Sequence, residues 1–335
     1  MPTYLTSDIS SLLPAKFDKG LSKQFNAACP LLNALSQRGR VRFDVGQGVY
    51  FSLECSGGTI SNVSEGADFA ASANGVSKSA FLPWGIFQGA IEISDLSRSA
   101  ARTQGSPFGD LLGDKLGSLA SSMGKKINDQ LFSGTGSNQI VGLDTALGVG
   151  TYATVLRASD PDGYSFQGNL VANGGTGRAL TLDLMATAER TNFASSNKSP
   201  DLIVMSPVDF ARYEKLVVQT NGSFQFGPTP ISNADGGALT LSYKGIPVIR
   251  DNSATTGSIY FLHTPSLEVV YTNAIVDDAV QAAMLMGDSG ESTGIVVDIY
   301  QSARVGTKKK LAMNATVQLK ALRPNACTIL KDINA

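Results

Sequence analysis

The chain is poor in charge. Acidic and basic side chains make up 16% of its 335 residues, where soluble domains carry about 25%. A free monomer relies on surface charge to stay apart from its neighbours, so this scarcity points to a surface covered by other copies. The net charge of −1 excludes a bulk basic field for nucleic acid. The one histidine, His263, and three distant cysteines, Cys29, Cys55 and Cys327, supply no spacing for zinc, for a redox Cys-x-x-Cys or for a Ser-His-Asp triad. The cysteines read as buried or incidental thiols, and His263 as a turn residue after a strand. Paired acids such as Asp277 with Asp278, or Glu54 with Glu65, form no catalytic geometry and read as surface. No apolar run reaches the ~18–20 residues that span a bilayer. The first residues lack the charged start and apolar core of a secretory signal. No catalytic, cofactor or metal residue is assigned.

Glycine is abundant: 35 residues, above the usual ~7% share, which implies many turns and extended loops. Residues 106–133 hold the clearest element. Phe108, Leu112, Leu116, Leu119, Met123, Ile127 and Leu131 recur at steps of three and four, on one helix face. Asp110, Asp114, Lys115, Ser118, Ser121, Lys125 and Asp129 take the other. Ser106 and Pro107 form an N-cap and N1 pair, and Gly134 suits the C′ position. Such a helix is roughly 40 Å long, a strut more than a packing element. Gly134–Gly142 follows a helix and lacks a Gly-Lys-Ser/Thr, so it reads as a turn and not as a phosphate loop.

Residues 1–40 are irregular, with an amphipathic piece near 14–35 broken by Pro30. It is expected to serve as an arm that packs on something else, such as a neighbouring subunit. Residues 41–54 and 77–94 read as the two strands of a long hairpin around a small, polar, Gly-rich connection at 55–75. A loop of about 20 residues without periodicity is unusual inside a compact domain. After a Gly, Asn and Asp-rich stretch at 144–180 come a helix (180–195), a buried strand (201–206), a second helix (207–219), a loop containing Phe224 and Phe226, and a strand–turn–strand pair. Residues 295–305 and 311–322 read as long strands flanking Lys308, Lys309 and Lys310, the only basic run, either a solvated hairpin tip or a contact surface.

Three ordered stretches carry a family resemblance. The long helix ends in Leu-Phe-x-Gly-x-Gly (Leu131 to Gly136) followed by Gly142 and Leu143. A strand leads into Met-x-Pro-x-x-Phe (Met205, Pro207, Phe210), then a Gly-rich loop, Tyr-x-Gly-x-Pro-Val (Tyr243, Gly245, Pro247, Val248) and Asp251. A strand pair closes the chain. Together the set resembles major capsid proteins of tailed double-stranded-DNA phages, of the HK97 fold. The resemblance implies an α+β fold with an N-terminal arm (1–40), an E-loop hairpin with flanking strands (41–94), a P-domain with spine helix (95–143), a mixed α/β A-domain (144–294) and P-domain C-terminal strands (295–335).

The function so implied is non-enzymatic: self-assembly of hexamers and pentamers into an icosahedral shell that encloses a genome. Implied partners are other copies, a portal protein, scaffolding or decoration proteins, and weak non-specific contact with packaged DNA; no membrane is involved. The virion would be assembled in host cytoplasm. Inter-subunit contacts are expected at Val63, Phe69, Lys78, Phe81, Trp84, Phe224, Phe226, Lys308, Lys309 and Lys310, although Trp84 suits its own core equally well. Lys78 and Asn314 are residue types that some members crosslink, with nothing local to support it. Many members carry an N-terminal scaffolding segment; here the arm comes almost at once, which implies a separate scaffold or none. An encapsulin-type compartment shares the fold, and a non-shell phage structural protein is the weaker alternative. An α/β enzyme is disfavoured by the single histidine and sparse charge.

Ordering the loop costs roughly 1–2 kcal/mol of backbone entropy per residue, which a neighbour's contacts must offset. Deleting residues 55–75 is therefore expected to leave a folded subunit that assembles poorly, as seen by circular dichroism beside electron microscopy; normal shells from the deletion would refute the bridging role.

Overall fold

A computed structural model describes residues 29–44, 46–54, 62, 64–65, 77–94, 107–157, 167–221, 241–272, 298–301 and 308–334. In chain order the elements are α1 (Pro30–Gln37), β1 (Val41–Phe43), β2 (Gly48–Glu54), β3 (Ser77–Pro83), β4 (Gly85–Ser94), α2 (Pro107–Ser133), α3 (Leu143–Ala146), β5 (Thr151–Tyr152), β6 (Val155–Leu156) and β7 (Asn169–Val171). They continue with α4 (Leu182–Ser196), β8 (Leu202–Met205), α5 (Pro207–Asn221), β9 (Ser242–Tyr243), β10 (Ile246–Arg250), β11 (Ile259–Leu262), β12 (Leu267–Thr272), β13 (Asp298–Gln301), β14 (Lys308–Ala321) and β15 (Thr328–Leu330).

Pro30 opens α1 and does not break it. Its ring presets the first helical φ, and its missing N–H is one the first turn never uses. Leu31, Leu32, Ala34 and Leu35 are buried, each leucine contributing about 2 kcal/mol. This part of the expected arm therefore belongs to the subunit's own core; residues 1–28 lie outside the described residues.

Strand β14 is the centre of a five-stranded sheet. Along one edge it pairs antiparallel with β4, from Lys308↔Ser94 to Val317↔Gly85. Its other edge is shared end to end by β13 and β12, both antiparallel. β1 joins β12 in parallel. β2 and β3 form a separate two-stranded hairpin. The sequence expectation of one hairpin over 41–94 is thus corrected: β1 and β4 sit in the large sheet, and the chain changes sheet at residues 44–47 and at Trp84. A strand pattern read along the chain shows alternation, not which partner supplies the ladder.

The helix α2 crosses this sheet as its periodicity predicts. From Lys115 onward Ala120, Met123, Ile127 and Leu131 are buried, and Ser118, Lys125 and Asp129 exposed. Leu119 lies over Gly89 of β4, where an added Cβ would come within 2.6 Å of it. Gly134 is not a left-handed C′ residue. It is required because a Cβ there would stand 2.1 Å from the Ile140 carbonyl oxygen; the left-handed residues of this turn are Gly136 and Asn138.

A six-stranded sheet, in the order β7-β15-β11-β8-β10-β9, carries α4 and α5. Its second core contains Met185, Ala188, Ile203, Met205, Tyr213, Val217, Phe261 and Leu330. Ser206 caps α5 by accepting from the Asp209 N–H, and its hydroxyl donates to Asp209 Oδ2 at 2.7 Å. Among the described residues no helix is long and apolar enough to cross a membrane.

Gln318 holds the sheet to its surroundings. Fully buried, its Oε1 accepts from the Val141 N–H at 2.8 Å and the Leu319 N–H at 2.9 Å, and its Nε2 donates to the Pro83 carbonyl. Gln318→Ala strands these groups away from water, and a loss of about 3 kcal/mol is expected, to be read as a lower midpoint in denaturant unfolding.

Candidate assembly surfaces

The hairpin β2–β3 has one face in and one face out. Val49, Phe51, Ala80 and Leu82 are buried, and Lys320 Nζ lies 5.2 Å from the centre of the Phe51 ring. On the opposite face Tyr50 is 62% exposed and its ring centre lies 4.8 Å from that of half-buried Phe81. The Phe81 N–H donates to the Ala153 carbonyl at 3.1 Å, so the β5–β6 turn covers part of the outer edge of β3. Ala153 and Thr154 hold positive φ there.

The hairpin leaves the frame through a braced junction. Trp84 is buried and its Nε1 donates to the Gly46 carbonyl at 2.8 Å, joining the two strand crossings. At Gly85 an added Cβ would stand 2.8 Å from the Ile140 nitrogen and 2.9 Å from the Val317 carbonyl oxygen, so no side chain fits. Beyond it Ile86 is 63% exposed, and Gln88, Ala90 and Glu92 continue that face. Tyr50, Phe81 and Ile86 thus place apolar surface at the hairpin's base, of the kind that anchors contacts between chains.

Nearby, Arg157 is buried against carbonyls: Nε donates to Gly150 at 2.6 Å, Nη1 to Ala146 at 2.7 Å and Nη2 to Thr145 at 2.9 Å. It closes the end of α3, whose last carbonyls lack helical partners. Burial pulls its pKa down to about 10, so it stays charged at neutral pH. The sequence gives no sign of this residue, because its partners are main-chain groups.

The predicted contact residues separate as follows. Phe81 is half exposed beside Tyr50, whereas Trp84 belongs to the subunit's own core. Lys78 pairs with Leu53 in the hairpin. Lys308, Lys309 and Lys310 are not a hairpin tip: they begin β14, in register with Ser94, Ile93 and Glu92. Val63, Phe69, Phe224 and Phe226 lie outside the described residues. Asn314 pairs with Gln88 and Asp298 on β14, remote in sequence from Lys78. Tyr50 and Ile86 were missed; an apolar residue at an outward strand position is the signal that could have found them. Cys29 and Cys327 are buried free thiols, each pushed up to about 12 by burial, which suits inert packing. Among the described residues no cluster of His, Cys, Asp and Glu could hold a metal.

One buried acid joins three elements. Asp251 follows β10; its Oδ2 accepts from the Leu31 N–H in the first turn of α1 at 3.2 Å, and its Oδ1 from Asn128 Nδ2 of α2 at 2.7 Å and the Ser253 N–H at 2.9 Å. The arm helix, the long helix and the second sheet are tied at this carboxylate.

No family model matches the amino-acid sequence, and comparison with curated proteins gives no match. Solved structures do match. The chain resembles one in the capsid asymmetric unit of cyanophage A-1(L), with a TM-score of 0.67 and 19% identity over 91% of this chain and 93% of that one. The capsid of an empty GTA particle gives 0.60 and 13% over 89% and 90%. The holo-SrpI encapsulin complex from Synechococcus elongatus gives 0.55 and 11% over 91% and 89%. The fold is therefore the HK97-like capsid fold.

Burial raises the Asp251 pKa, its bonds from Ser253, Asn128 and Leu31 lower it, and Asp129 raises it again, with a net rise. A folded pKa above the unfolded one adds stability that is complete below the unfolded value and lost as pH rises through the folded value. The deficit of Asp251→Asn against wild type is therefore expected to widen as pH falls from 7 towards 4, measured by urea unfolding; a deficit that narrows contradicts this.

Proposed function

We propose that this chain is the major capsid protein of a tailed double-stranded-DNA phage, assembling as hexamers and pentamers into an icosahedral shell around the genome. The observation that carries this reading is the HK97-like fold, matched over about nine-tenths of the chain to the cyanophage capsid chain. The exposed apolar base of the hairpin supports it. Function here is geometric: a braced frame holds the base of the hairpin, and the hairpin lies over a neighbouring subunit. In this reading α2 and the five-stranded sheet form the P-domain, the six-stranded sheet with α4 and α5 forms the A-domain near the capsomer axis, and the hairpin is the base of the E-loop. No turnover is part of this reading. Portal protein and scaffolding or decoration proteins are the expected partners, and the strand-starting lysines Lys308 to Lys310 are assigned a weak contact with DNA. The particle would form in host cytoplasm and the chain would reside in the virion.

An encapsulin-type compartment is the second reading, favoured by the likeness to the encapsulin chain. The shell geometry is common to both, and the contents decide.

The chain expressed alone, viewed by negative-stain electron microscopy with size-exclusion chromatography, is expected to give closed shells or capsomer rings. Tyr50→Glu with Ile86→Glu, at exposed positions, should keep the subunit folded while assembled material falls at least tenfold. Shells at wild-type yield from the double variant would remove the hairpin base from the interface. A monomer that persists even when neighbouring phage genes are co-expressed would overturn the capsid reading.

A further inference from the structure

Four loops meet at one corner of the frame. Arg38 and Arg40 follow α1, Lys198 and Asp201 lie between α4 and β8, His263 to Ser266 join β11 to β12, and Leu322 and Arg323 follow β14. Backbone bonds fix their approach: the Val269 N–H donates to the Arg40 carbonyl at 2.8 Å, and the Leu322 N–H to the Ser266 carbonyl at 2.9 Å. Asp201 is the acid here, and it is already engaged. Its Oδ2 lies 2.7 Å from Arg38 Nη1 and accepts from the Thr264 hydroxyl, while its Oδ1 accepts from the Thr264 N–H. Arg40, Lys198 and Arg323 form no ion pair within the described residues. Burial is the main cause that lowers the His263 pKa; Asp201 opposes it, and Lys198, Arg40 and Arg323, all near the ring, lower it further. His263 Nδ1 is 2.7 Å from Ser266 Oγ. The Cys327 sulfur accepts from the His263 main-chain N–H at 3.4 Å, and the thiol is protonated at neutral pH.

Three cations without an ion pair among the described residues, around a half-buried imidazole, are out of character for a chain of net charge −1. Two are guanidiniums, whose forked donors match phosphate oxygens. We infer that this corner, formed by Arg40, Lys198 and Arg323 around His263, is a docking surface for the phosphate backbone of duplex DNA, tightened in acid by protonation of His263. This rests on the capsid reading and gives the shell a second, more localised DNA contact than the lysines of β14. The surface is sequence-neutral because it offers charge and no base-reading groups. Three phosphate contacts are weak for one subunit, but many copies on one polymer multiply them.

The sign of the pH effect follows from the neighbours. With its pKa below the usual histidine value of about 6.5, His263 is neutral at pH 7.5. A polyanion at the corner offsets the three cations and draws the proton on. Binding therefore strengthens as pH falls, whereas without ligand the same protonation costs the fold stability.

The test is fluorescence anisotropy of a labelled DNA duplex with the full-length subunit at concentrations too low to assemble, across a salt series at pH 7.5 and 5.0. At pH 7.5 the corner is expected to contribute a log–log salt slope of about −2.7, or roughly a 40-fold loss of affinity between 50 and 200 mM salt. The triple variant Arg40→Gln, Lys198→Gln, Arg323→Gln should lose that component. Because His263 is the chain's one histidine, His263→Gln should abolish the steepening of the slope between pH 7.5 and pH 5.0. Lys308→Gln, Lys309→Gln and Lys310→Gln together serve as control and should leave that steepening in place. Wild-type affinity in the corner variant overturns the inference. So does binding of poly-glutamate but not of DNA, which would mark an acidic protein as the partner. Shell formation, scored separately by microscopy, tells failure of this inference from failure of the capsid reading.

Discussion

Everything in the frame is referred to one strand whose two edges are both occupied. β14 receives β4 along one side and β13 with β12 along the other, so its ladder has little freedom to slip. Register is further set at Gln318, where a side-chain amide replaces main-chain partners for the turn after α2, for its own neighbour and for the end of β3. A buried amide is useful here because it both donates and accepts. A charged group at the same depth would need a counter-ion, and an apolar one would leave three backbone groups dry.

The hairpin inherits its direction from that strand. Trp84, Gly85 and Gly46 form a crossing point too tight for side chains at the glycine, with an indole N–H closing the gap between the strands. Asp251 plays the matching role on the other side, where α1, α2 and β10 converge on one carboxylate. Two hydrophobic cores share the molecule, and β8 and β11 feed both: Leu202, Val204, Tyr260 and Leu262 enter one, Ile203, Met205, Ile259 and Phe261 the other.

Much of this was legible in the amino-acid sequence, and the rest was hidden for identifiable reasons. The long helix declares itself because a one-sided apolar stripe from Leu119 to Leu131 has no other stable use. The buried run of β8 and the proline-started helix α5 were equally plain. What failed was partnership. β1 and β4 alternate just as hairpin strands do, and nothing local says that β12 and β14 receive them. Pro30 read as a break because α1 is anchored through its Leu31 N–H to Asp251, 220 positions away. Gly134 suggested a left-handed cap, yet its conformation is ordinary and the constraint is the Ile140 carbonyl. Arg157 and Gln318 were invisible, since residues that bond main-chain atoms leave no complementary residue to find. Of the surface, the aromatic pair at the hairpin base was half visible in Phe81 and missed in Tyr50.

The position of β14 along the chain bears on when the subunit becomes a subunit. During synthesis β4, β12 and β13 all leave the ribosome before residues 308–321, so three strands wait for the one that joins them. Contacts this distant in sequence form slowly, and the hairpin's crossing point cannot be braced before Gln318 arrives. A nascent or truncated chain therefore lacks the geometry that presents its apolar surface at a usable angle. Late translation of a central strand works as a timer: no part of the large sheet reaches its final geometry until nearly the whole chain has been made.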